Sequence, residues 1–191
     1  MTDLGALFRK YGSDKYVNGY TPLYQTLFRT KKHDPVRLLE VGIGTMIPGV
    51  HSSMVGYAQP GYAPGGSLRA WRDYFPTGTI TGIDVQPDTQ FVEERITTHL
   101  CNSTEPRAVR ALLDGSLFDI IIDDGSHLAA DQLNTLRNLL PFLAPDGLYV
   151  IEDIHPGSYL NMHPNVVQET HPGTLQFLVG KTSNQMVIVK Y

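Results

Sequence analysis

A mostly parallel α/β fold, with a seven-stranded sheet closing on a C-terminal antiparallel hairpin, is predicted by three observations. Short apolar runs alternate with helical patterns from residue 36 onward. The runs are almost continuously apolar, as strands buried on both faces of a parallel sheet are. The last two runs break the alternation and are joined by the short turn Thr182-Ser183-Asn184, which reads as a hairpin.

Two helices are predicted before the first strand. Leu4, Leu7, Phe8 and Tyr11 share one face of the first. The second, TPLYQTLF, has Thr21 as its cap and Pro22 at its first position. Between them the polar segment Gly12-Ser13-Asp14-Lys15-Tyr16 is suited to fold over a ligand. The first strand is Val36–Val41, and a 22-residue loop rich in Gly, Pro and Tyr follows, from Thr45 to Gly66. Loops of that length in compact domains are usually functional lids or disordered.

Ser67 is read as the cap of the helix SLRAWRDYF, and Thr79–Val85 as the second strand. Ile96–Cys101 is a weaker third strand. Thr104 then caps a helix that has Pro106 in its first turn and runs to Asp114. Phe118–Ile122 is the fourth strand. The helix LAADQLNTLRNLLPFL places Leu133, Leu136, Leu140 and Leu143 on one face. Gly147–Ile151 is the fifth strand, and Thr174–Lys181 with Gln185–Tyr191 form the hairpin.

The bulk numbers agree with one domain over residues 1–191, of which residues 1–35 form a helical segment covering the cofactor site. Apolar residues make up 41% and charged residues 18%, an ordinary globular balance. A net charge of −4 argues against a broad phosphate-binding surface, so nucleic acid is not an expected partner. Cys101 is the single cysteine, which fits a reducing cytoplasm. The opening Met1-Thr2-Asp3 lacks the pattern of a signal peptide, and no apolar run approaches a membrane span. The expectation is a cytoplasmic domain with no membrane or nucleic-acid partner; a homo-oligomer stays open.

Chemistry concentrates at the predicted strand ends. Glu40-Val-Gly42-Ile-Gly44 closes the first strand, where glycines let a ligand approach the backbone. Asp84 closes the second and can accept both hydroxyl hydrogens of a ribose. Together they indicate a Rossmann-like cofactor site, although a tight turn and a helix cap would look the same locally. A nicotinamide enzyme shares this arithmetic, but its third glycine is missing here. Glu40 would repel a pyrophosphate and attract the ammonium group of S-adenosylmethionine.

Asp123-Asp124-Gly125-Ser126-His127 follows the fourth strand and Glu152-Asp153 the fifth. On neighbouring strands these carboxylates would crowd one pocket, which requires a cation or a proton between them. Oxygen ligands favour Mg²⁺, or Mn²⁺ or Ca²⁺, over zinc. His127 lies close enough to serve as a general base for an alcohol whose acidity a metal has raised. His155 is a nearby rival for that role.

At these residues the sequence resembles the metal-dependent sugar O-methyltransferases of macrolide biosynthesis. The similarity runs through GSDKY and GYTPLY, LLEVGIG, GGSLRAWRDYFPTGTITGIDV, FDIIIDDGSH and GLYVIEDIH. It implies a class I methyltransferase sheet. By the same resemblance, Asp124, Glu152 and Asp153 are magnesium ligands and His127 is the catalytic base. Glu40, Gly42, Gly44 and Asp84 hold the methionine part and ribose of the cofactor, and Asn102 and Ser103 contact its adenine. Asp123 borders the methyl-donor pocket, and Ser67, with Arg69, helps close it.

Relative to that family, the expectation is no additional N-terminal domain and a short stretch between IEDIH and the hairpin, with an extended loop from Thr45 to Gly66. The expected acceptor is therefore a hydroxyl of a small sugar-like or natural-product substrate rather than a macrolide. Two other readings stay open from sequence: a non-catalytic adenosylmethionine-binding protein, and an NAD-dependent oxidoreductase.

Overall fold

The computed structural model describes residues 3–59, 61–155, 175–178 and 185–190. Its centre is one sheet of β1 (Arg37–Val41), β2 (Thr79–Asp84), β3 (Val92–Glu93), β4 (Ile96–Leu100), β5 (Phe118–Asp123), β6 (Leu143–Ile154), β7 (Leu175–Leu178) and β8 (Gln185–Lys190). The spatial order is β3-β4-β2-β1-β5-β6-β8-β7. Eight strands therefore replace the seven expected. The addition is β3, a two-residue edge strand antiparallel to β4, too short to carry a periodicity. The strands β4, β2, β1, β5 and β6 are parallel, and β8 runs antiparallel between β6 and β7, so the hairpin expectation holds. Its turn, residues 182–184, and the stretch 156–174 lie outside the described residues.

From β1 the chain moves outward through β2 to β4, then returns to β5 on the other side and continues to β6. That reversal leaves a crevice beyond the carboxyl ends of β1 and β5, where open α/β sheets bind ligands.

Strand alternation divides the core. On one face Leu38, Ile80, Ile120, Ile122 and Val150 meet α1 (Leu4–Lys10), α2 (Thr21–Phe28) and α3 (Gly66–Tyr74). Trp71 is fully buried there, with the rings of Phe8, Tyr24 and Phe28 edge-on to it at 4.9, 5.0 and 5.7 Å. On the other face Leu39, Val41, Ile121, Tyr149 and Ile151 pack with α4 (Pro106–Leu113) and α5 (Ala129–Leu139). None of the described helices is long and apolar enough to cross a membrane.

Three helix starts differ from the sequence reading. The N-caps are Tyr20, Gly65 and Glu105, none with a capping side-chain bond, so Thr21, Ser67 and Thr104 do not cap. Thr21 and Ser67 fall inside the helices, and the Thr104 hydroxyl is engaged with Asn102 Oδ1 at 2.9 Å. Further along, Pro141 ends α5 by forcing a 3₁₀ turn over Leu140–Phe142. Leu143 consequently opens β6, paired with Phe118, rather than extending the helix face.

Candidate active site

A cavity of about 450 Å³ opens at the carboxyl ends of β1, β2, β4 and β5. That volume lies in the usual range for small-molecule sites. Gly42, Gly44, Ser67, Asp84, Asn102, Ser103, Asp123, Asp124 and His127 all line it, so most of the predicted site residues are brought together. Glu40, Glu152 and Asp153 are not among the residues that line it.

The two glycines are required by geometry. Gly42 has φ +86°, and a Cβ there would lie 2.0 Å from the Asp124 carbonyl oxygen. Gly44 has φ +87°, and its Cβ would lie 2.2 Å from Tyr62 Oη. The loop following β1 therefore passes directly against the β5 turn and the Tyr62 ring. The Tyr62 hydroxyl donates to the Gly44 carbonyl at 3.1 Å, and the Gly65 amide donates to that of Ile43 at 2.9 Å. His51, Ser52, Met54 and Tyr62 from this loop line the cavity.

Asp84 accepts the Ile43 amide through one carboxylate oxygen and the Gln86 amide through the other, both at 2.8 Å. It staples the β1 and β2 ends together while facing the cavity, and burial raises its pKa. Asn102 Oδ1 accepts the Thr104 amide at 3.0 Å, and the Ser103 hydroxyl lies 2.8 Å from that of Thr135. Arg69 is directed away from the cavity mouth: it pairs with Glu93 at 2.7 Å and donates to the Pro64 carbonyl.

Alternation on the strands sorts the acids. Glu40 shares the Leu38 face and Glu152 the Val150 face, so both point toward α1–α3, whereas Asp123 shares the Ile121 face toward α5. Asp153 would follow Ile151 away from Glu152 in a regular strand. It has φ +50° instead, and the β6–β8 register shifts between Ile151 and Ile154. Both carboxylates consequently meet one helix start: the Tyr20 hydroxyl donates to Asp153 and the Tyr24 hydroxyl to Glu152.

Lys15, from the 3₁₀ turn Asp14–Tyr16, is the resident cation of this cluster. Its Nζ lies 2.5 Å from Asp124 Oδ2, 2.5 Å from Glu152 Oε2 and 3.1 Å from Glu40 Oε1. Lys15 itself is only 1% exposed. Glu40 Oε2 accepts the Trp71 indole N–H at 2.9 Å. Burial pushes the Glu40 pKa up to about 7, partly offset by Lys15. Burial opposes ionisation of Asp124 too, but there Lys15 and His127 prevail and hold its pKa down to about 2. Glu152 is raised by burial and by the neighbouring acids.

His127 Nε2 lies 3.2 Å from Asp124 Oδ1 and 3.7 Å from Asp153 Oδ2. Burial alone would lower its pKa; the two acids outweigh burial and raise it. His127 and Asp153 have φ of +60° and +50°, two of the five positive-φ non-glycine residues described. Strain of this kind, about 1–3 kcal/mol per residue, concentrates at functional sites. One ligand atom from each of Asp124, His127 and Asp153 lies within 4.8 Å of the others. The two carboxylates at that spacing suit one divalent cation, with the His127 imidazole beside it.

Sequence reading missed Lys15, Tyr20, Tyr24 and Trp71 as members of the site. Lys15 was inside a segment read as folding over a ligand, but nothing in its neighbours says which acids it meets. The two tyrosines, four apart at one helix start, read equally well as core residues.

The fold and cavity define a methyltransferase domain, and the family model described as "Methyltransferase domain" matches residues 59–154. The chain belongs to that family. It is 41% identical over 155 residues to an 8-demethyl-8-(2-methoxy-alpha-L-rhamnosyl)-tetracenomycin-C 3'-O-methyltransferase of Streptomyces olivaceus, covering 80% of this chain and 37% of that protein. It is 34% identical over 190 residues to the demethylmacrocin O-methyltransferase of Streptomyces fradiae, covering 96% of this chain and 45% of the relative. The chain thus spans less than half the length of these curated relatives. Among solved structures it resembles the MycE methyltransferase of the mycinamycin pathway in complex with Mg and SAH, at a TM-score of 0.74 and 29% identity. That match covers 99% of this chain and 55% of MycE.

Proposed function

We propose that the chain is an S-adenosylmethionine- and Mg²⁺-dependent O-methyltransferase domain acting on a hydroxyl of a small sugar-like or natural-product substrate. The observation that carries this reading is His127 set between Asp124 and Asp153 at the rim of a ligand-sized cavity. The relatives' activities agree with it: methyl transfer to oxygen, and, for MycE, a complex with Mg, SAH and mycinamycin VI. Residues 1–191 act as one domain in this reading, with residues 1–35 closing the site from one side. A cytoplasmic location and the absence of a nucleic-acid partner belong to it as well.

When bound, adenosylmethionine supplies an electrophilic methyl group and the divalent ion supplies Lewis acidity toward a hydroxyl. Asp124 and Asp153 would hold the ion, with Glu152 beside them. The two glycines admit the cofactor against the backbone, Asp84 offers free lone pairs to a ribose, and Asn102 and Ser103 offer polar edges to a base. Asp123 and Ser67 supply the polar surroundings of the methionine part, and Glu40 acts on it from beneath, through its buried charge. His127 Nε2 would take the hydroxyl proton. Tyr62 and the loop after β1 exclude water from that wall.

The test is methyl transfer to deoxysugar glycosides, followed with and without chelator. EDTA should abolish turnover and Mg²⁺ restore it. His127→Ala should lower turnover by about 10²–10⁴-fold, the usual worth of a positioned base, with cofactor affinity nearly unchanged. Full activity in EDTA would remove the metal from the reading, and full activity of His127→Ala would remove the base.

A further inference from the structure

An ammonium has three N–H donors, and Lys15 Nζ has three carboxylate neighbours: Glu40 at 3.1 Å, Asp124 at 2.5 Å and Glu152 at 2.5 Å. The contacts to Asp124 and Glu152 are hydrogen bonds and that to Glu40 is an ion pair; Lys15 is 1% exposed and borders the cavity. The three acids arrive from β1, the turn after β5, and β6, so one side chain ties together the ends of three parallel strands. Asp124 is shared: Oδ2 faces Lys15 while Oδ1 faces His127. The cluster thus has two cation places that meet at Asp124. One is filled by Lys15; the other is bounded by Asp124, His127 and Asp153.

We propose that Lys15 is a positioning residue that permanently fills the first cation place, and so limits the site to one divalent ion and fixes which Asp124 oxygen faces it. The proposal rests on the metal-assisted reading above. Four carboxylates without Lys15 would draw in further positive charge, because buried like charges this close cannot all remain ionised and unpaired. A lysine carried on the N-terminal segment supplies that charge from within the chain. It also makes the docking of that segment a condition for an ordered metal site. Two ions bridged by a shared carboxylate are a common alternative in enzymes, and Lys15 excludes it here.

The test is Mn²⁺ binding to the full chain, without cofactor or substrate, followed by electron paramagnetic resonance and equilibrium dialysis. The wild type should bind one Mn²⁺. Lys15→Met, which keeps the stem and removes the charge, should bind two, with a spin-coupled spectrum, and its thermal midpoint should fall in chelator and recover on adding Mn²⁺. Lys15→Arg should return the count to one. If Lys15→Met stays unfolded in both conditions, the double variant Lys15→Met/Glu152→Gln decides, because one acid leaves with the ammonium. It should fold and bind one Mn²⁺. A Lys15→Met protein with one Mn²⁺ at wild-type affinity, or a double variant as unstable as Lys15→Met, would overturn the proposal. A wild type that binds no Mn²⁺ would instead overturn the metal-assisted reading on which it rests.

Discussion

At Glu40 the cost of burial has a measurable sign. Its pKa rises from 4.5 to about 7 because the carboxyl is fully buried, with Lys15 offsetting only part of the penalty. Between those values the native state keeps a proton that the unfolded chain releases. Stability contributed at Glu40 therefore falls as pH rises from about 4.5 to about 7. Glu40→Gln does not ionise and still accepts the Trp71 N–H, so its urea-derived stability should fall less steeply across that interval. An unchanged slope would show that Glu40 does not govern it. Trp71 is the complementary case. Trp71→Phe would leave Glu40 Oε2 without a donor and is expected to cost about 1–3 kcal/mol, measurable as a lowered urea midpoint. His127 and Asp153 show why residue identity alone under-describes the site: each sits at a positive φ that its side chain does not favour, held by the structure around it.

The decisive elements are the turns after β1 and β5 and the irregular end of β6. Gly42→Ala places a methyl 2.0 Å from the Asp124 carbonyl in a left-handed backbone. The strain term alone is worth about 1–3 kcal/mol, and relief of the clash must shift Asp124. A lowered urea midpoint together with weakened Mn²⁺ binding is the expected result. Destabilisation with metal affinity intact would separate the β1 turn from the acid site. The β6 irregularity explains a feature that alternation forbids, namely Glu152 and Asp153 serving one side of the sheet. Tyr20 and Tyr24 make use of it, each holding one of the two acids from the start of α2. The sequence marked α2 by Thr21 and Pro22, but not what its tyrosines bond.

For the whole molecule, stability should be graded from the centre of the sheet outward. β1 and β5 are paired on both sides and covered by both halves of the core, whereas β3 is a two-residue edge. Amides of β1 and β5 are expected to exchange only on global unfolding, and those of β3 by local opening at much lower cost. Equal protection in β3 and β1 would contradict this ordering. Much of the architecture was legible in the sequence, because apolar runs and helical periods are local properties that survive in one dimension. The five parallel strands, the terminal hairpin and the clustering of glycines and acids at strand ends all follow from them. Helix starts were less legible: side chains at 21, 67 and 104 could cap, but the path of the chain into each helix set the boundary elsewhere. The sequence alone determined which residue types lie at the crevice, since strand ends in this topology share one edge. Only the tertiary structure decided how the acids divide, because that depends on strand parity, on the backbone reversal at Asp153, and on a lysine more than a hundred residues away from Asp124 and Glu152 in sequence. Long-range charge pairing leaves no local pattern; it appears only when the chain has closed on itself.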